Sequence, residues 1–67
     1  MHDYENAAIL LEKAIELDPN NVKALYNLGV LYAKFNQTEE AVELFKRVLE
    51  LEPKHEGARK VLIELEK

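Results

Sequence analysis

A chain of 67 residues with a net charge of −4 and no cysteine is one small domain without disulfides, thiolate metal ligands or a cysteine nucleophile. Serine is absent too, which removes serine nucleophiles, and the acidic balance argues against a nucleic-acid surface, which needs a basic stripe. The longest apolar run, Ala7-Ala8-Ile9-Leu10-Leu11, is far short of the roughly 20 residues of a membrane span.

Met1 to Glu5 lacks the basic region and apolar core of a secretory signal, so a soluble cytoplasmic protein is expected. The first helix is predicted from about Tyr4, with Asp3 as its N-cap, and carries Ala7, Leu10, Leu11, Ala14, Ile15 and Leu17 as apolar positions. It stops at Asp18-Pro19, because proline disfavours the helical region for the residue before it. Asn20 or Asn21 caps a second helix, about Val22 to Phe35, with Leu25, Leu28, Gly29 and Tyr32 on one face. Asn36 is placed to end that helix in a left-handed conformation. Thr38 is the expected N-cap of a third helix, with Ala41, Leu44, Phe45, Val48, Leu49 and Leu51 as its buried stripe. A second stop, Glu52-Pro53, precedes a last helix over about Glu56 to Glu66, with Ala58, Val61, Leu62 and Leu65 on one face. The class is all-α.

The stops and starts share a period. Pro19 and Pro53 are 34 residues apart, as are Ala7 and Ala41, Leu11 and Phe45, Ala14 and Val48, Ile15 and Leu49, Leu17 and Leu51, and Lys13 and Arg47. Helix–turn–helix units repeating at this period mark an α-solenoid. Gly29 in a helix interior costs roughly 1 kcal/mol against alanine, which a sequence tolerates where something approaches the backbone closely. The small residues Ala7 and Ala14 of the first helix are the expected partners across that gap.

With Leu25, Leu28-Gly29, Tyr32, Ala41, Phe45, Val48 and Pro53 in these places, the chain resembles the tetratricopeptide repeat family. The resemblance divides the single domain, residues 1–67, into the second helix of a partial repeat (3–21), one full repeat (22–55) and a degenerate capping helix (56–67). It departs from the family pattern in the last helix, where Arg59, Ile63 and Glu66 stand for the large apolar residue, the glycine and the tyrosine. The resemblance implies a non-enzymatic module that holds a peptide or partner helix on a concave face. The positions it assigns to that face are Lys23, Tyr26, Asn27, Val30, Ala33 and Lys34. Lys23 and Asn27 resemble part of a clamp for a terminal carboxylate, a charge-assisted contact, but Gly57 and Val61 stand at the matching places of the last helix. Ordinary solvated surface is the competing reading of both. Tyr32 reads as core, and Tyr26 as an exposed contact.

Repeat units bury their apolar faces on neighbours, and about three are normally needed for a stable array. Ile9 stands where Glu43 stands one period later, which widens the apolar surface of the first helix. Ile9 and Leu10, with Ile63 on the last helix, are therefore expected to be covered by another copy of the chain, a homodimer being the commonest arrangement. The alternative is a purely structural oligomerisation unit with no separate ligand.

Chemistry is otherwise sparse, and no cofactor or metal is expected. His2 and His55 are far apart and lack ligand-type neighbours at helical spacing. Glu12, Glu16, Glu39, Glu40 and Glu43 read as solvated helix faces without the desolvation that acid–base work requires. Glu43 with Arg47 and Glu56 with Lys60 read as i,i+4 pairs. Asn36-Gln37-Thr38 matches a glycosylation acceptor, but helix capping explains it sufficiently.

Overall fold

Each proline stop becomes a tight turn and each periodic stretch a helix in the computed structural model, which describes residues 3–67. The helices are α1 (Asp3–Leu17), α2 (Val22–Lys34), α3 (Thr38–Leu51) and α4 (Glu56–Leu65). Consecutive helices pack on one another through short connections, which makes them antiparallel neighbours. The pairing of α2 with α3 is the most extensive. The Cα trace spans 30 × 26 × 16 Å, so the molecule is thin, and its terminal helices each have a neighbour on one side only.

The helix starts show how the sequence writes its own boundaries. Asn21 caps α2, its Oδ1 accepting from the Ala24 N–H at 3.1 Å. His55 does the same for α4 one period later, its Nδ1 accepting from the Ala58 N–H at 3.0 Å. His55 is thus a half-buried helix cap. His2 lies outside the described residues. Thr38 is not a cap: it is the first helical residue of α3, the cap position is Gln37, and no side chain there bonds to the helix start. Asp3 likewise lies inside the first turn of α1, where its charge favours the helix N-terminus. Asn36 adopts φ 63°, the left-handed residue foreseen after α2, while Phe35 takes the C-cap.

The core is small and central. Leu25 of α2, Ala41, Phe45 and Val48 of α3, and Ala58 of α4 form one buried cluster, and Ala24 and Leu28 are also buried. Phe45 is its largest fully buried side chain, and burying a phenylalanine contributes about 1.5–3 kcal/mol. Gly29 belongs to this contact. A Cβ built at Gly29 would lie 2.9 Å from the Cζ of Phe45, so the glycine makes room for the ring of α3. The expected pairing of Gly29 with Ala7 or Ala14 is corrected: the close approach lies between α2 and α3, because Phe45 fills the space over the glycine. α1 contributes no buried residue at all.

Candidate functional site

The face of α2 turned away from the core is set by the same periodicity that builds the core. Lys23, Asn27, Val30 and Lys34 follow at i, i+4, i+7 and i+11 and form one stripe along the helix. Lys23, Asn27 and Lys34 are exposed, and Val30 is half-buried between them. Ala33 is half-buried, and Tyr26, Val30 and Ala33 all pack against the core cluster at their inner edge. α2 carries two lysines and no carboxylate, whereas α1 and α3 are rich in Glu. An acidic molecule therefore has one helix whose charge is uniformly positive, a local field that favours an anionic group.

Tyr26 is corrected. Its ring meets Phe45 edge-on, with centroids 5.6 Å apart, and lies against the His55 imidazole at 4.9 Å. A Cβ at Gly57 would meet the Tyr26 hydroxyl at 3.0 Å, so this second glycine leaves space for it. Tyr26 is a packing residue between α2 and the start of α4 with one open edge. Helical spacing alone could not tell this, because the space it occupies is created by Gly57 in another helix.

Tyr32 and Arg47 make contacts that went unforeseen. The Tyr32 hydroxyl donates to Glu12 Oε2 at 2.7 Å and so ties α2 to α1. That bond, then burial, then the charges of Glu12 and Glu40, push the Tyr32 pKa up to about 12. Glu12 is therefore a structural acceptor and not merely solvated. Arg47 does not pair with Glu43: it reaches Glu50 at 3.1 Å and donates to Asn20 Oδ1 at 3.0 Å, bracing α3 against the turn that precedes α2. The second ion pair among the described residues is Lys67 with Glu64, so the expected Glu56–Lys60 pair is not formed.

Among the described residues no group of three or more His, Cys, Asp or Glu could hold a metal ion. No helix of the described residues is long and apolar enough to cross a membrane. The depressions in the surface are shallow: one lies where Tyr4, Ala8, Leu31, Tyr32 and Phe35 meet, another between Ile15, Leu28 and Leu44.

The tetratricopeptide repeat family model matches residues 1–62, nearly the whole chain. The chain belongs to that family. Sperm-associated antigen 1 of Mus musculus is 46% identical over 56 residues, covering 84% of this chain and 6% of that protein. FK506-binding protein 59 of Drosophila melanogaster is 37% identical over 62 residues, covering 92% of the chain and 14% of its own length. Photosystem I assembly protein Ycf3 of Acaryochloris marina is 51% identical over 43 residues, covering 63% and 26%. The chain thus spans about a quarter or less of the length of these curated relatives. As a tetratricopeptide repeat protein it is a protein–protein interaction module, an all-α stack of helix pairs. Its three apolar residues singled out for self-association, Ile9, Leu10 and Ile63, are exposed at 55%, 67% and 56%.

Proposed function

We propose that this chain is a non-enzymatic module that holds an acidic peptide or partner helix along α2, and that residues 22–55 form its one full repeat, flanked by α1 and α4. The observation that carries the reading is the Lys23–Asn27–Val30–Lys34 stripe: two ammonium groups and an amide project from a helix without a single carboxylate, around an apolar centre. Charge-assisted hydrogen bonds from such groups to carboxylates are the strong kind. Val30 and the open edges of Tyr26 and Ala33 offer apolar contact between the charges. The name of one relative speaks of assembly, which suits a module whose work is to hold partners together.

The same chain is proposed to cover its exposed apolar residues by self-association. A purely structural reading, in which oligomerisation is the whole function, is favoured by Ile9, Leu10 and Ile63 but leaves the basic stripe without a role. Backbone NMR of the labelled chain titrated with a Glu/Asp-rich helical peptide separates the two. Shifts confined to Lys23, Asn27, Val30 and Lys34, and abolished by Lys23→Glu with Lys34→Glu while the oligomer persists, support peptide capture. Shifts confined to α1 and α3, or an oligomer that alone accounts for every perturbation, overturn it.

A further inference from the structure

The two terminal helices are uncovered on complementary faces. Each residue of α1 can be compared with its counterpart 34 residues later in α3. Ala41, Phe45 and Val48 are fully buried on α2, while Ala7, Leu11 and Ala14 are only half-buried. Leu44 and Leu51 are half-buried, while Leu10 and Leu17 are 67% and 87% exposed. No helix of the described residues stands to α1 as α2 stands to α3. α4 shows the converse deficit. Leu25 and Gly29 of α2 are buried beneath α3, whereas their counterparts Arg59 and Ile63 are exposed.

We propose that copies of this chain associate head to tail, the uncovered face of α1 in one copy docking on the uncovered face of α4 in the next, so that the two helices complete a repeat between copies. This rests on the self-association reading above and states its geometry. Two observations select this partner. The first is steric. The α2–α3 contact sets a glycine under a phenylalanine with no room for a Cβ. At the corresponding places α4 offers Ile63 in place of Gly29, and α1 offers Leu11 in place of Phe45 and Ala14 in place of Val48. The bulk that Ile63 adds on one helix is removed from the other at Leu11 and Ala14, the kind of volume exchange that packed interfaces tolerate.

The second is electrostatic. α1 bears Asp3, Glu5, Glu12 and Glu16 against Lys13 alone, so two α1 helices facing each other repel. α4 balances Glu56 and Glu64 with Arg59 and Lys60, both exposed, and meets the acidic helix without that penalty. The interface joins different patches, so each copy keeps one free end and the assembly grows beyond a dimer.

Sedimentation velocity from micromolar to millimolar concentration tests this with two surface variants, Leu10→Glu and Ile63→Glu, whose helicity is first checked by circular dichroism. The unaltered chain should gain mass continuously past the dimer. Each variant alone should lose association by roughly 100-fold, since a buried unpaired carboxylate is strongly disfavoured. Mixing the two should restore a 1:1 dimer that does not grow, because each retains the patch the other has lost. If Ile63→Glu still dimerises by itself and the mixture forms no heterodimer, the contact is symmetric through α1, and this inference fails while self-association stands. If the unaltered chain stays monomeric at millimolar concentration, self-association itself falls, leaving the peptide-binding reading to its own test.

Discussion

Leu11 and Phe45 hold the same place in successive periods, and so do Leu10 and Leu44, yet the α3 member of each pair is buried more deeply than its α1 counterpart. The helices are alike in length and share these repeat positions. They differ in neighbours: α3 is packed between α2 and α4, while the main neighbour of α1 is α2. Amphipathic sequence therefore supplies the capacity to be buried, and stacking decides whether that capacity is used. Stability should be concentrated in the α2–α3 pair and thin out toward both ends.

The sharpest way to break that comparison is to truncate the paired residues. Phe45→Ala should destabilise by about 3–5 kcal/mol, enough to unfold a domain of this size, whereas Leu11→Ala should cost about 2 kcal/mol or less. Urea denaturation followed by circular dichroism measures both, and equal losses would mean that the ends are as well packed as the centre. A smaller effect sharpens the account of the centre. Gly29→Ala gains about 1 kcal/mol of helix propensity but drives a methyl into the fully buried ring of Phe45, and overpacking of this kind costs about 1–3 kcal/mol. A net loss is expected, with recovery when Phe45→Leu is added. Recovery is the signature of coupling between contacting residues.

The smallest effect lies at the α1–α2 seam. The bond to Glu12 and partial burial push Tyr32 up from the ordinary tyrosine value of 10.0 to about 12 in the folded chain. The folded state therefore keeps its proton longer, and the stabilisation is complete below pH 10 and lost as pH rises through 12. Tyr32→Phe should flatten that alkaline decline and cost about 0.5–1.5 kcal/mol or less at neutral pH, since the bond is exposed to solvent. An unchanged alkaline profile would show that the seam does not depend on this contact.

The fold was legible because its signals are local or periodic. Proline stops, the Asn21 cap, the left-handed Asn36 and the 34-residue period are all written in neighbouring or regularly spaced residues. The site was legible only in outline. Lys23, Asn27 and Lys34 point outward because nothing of helical period draws them in, but Tyr26 turns inward because Gly57 and His55 make a place for it from another helix. Arg47 passes over its i,i+4 partner for Glu50 and for Asn20, 27 residues away, and Tyr32 finds Glu12 at a separation of 20. No local window of sequence contains the Arg47–Asn20 or Tyr32–Glu12 pair. Thr38 shows the reverse: a good capping residue one position too late, inside the helix it was expected to start.

Gly57 carries a consequence for the shape of any longer stack built on this unit. The Tyr26 hydroxyl lies close to where a side chain at Gly57 would begin, where α2 meets the first turn of α4. The distance between those successive first helices fixes how far each unit rotates on the last, and so the pitch of the superhelix and the width of the channel it encloses. A methyl group there would wedge the two apart. The curvature of the array is governed, at this junction, by a hydrogen atom.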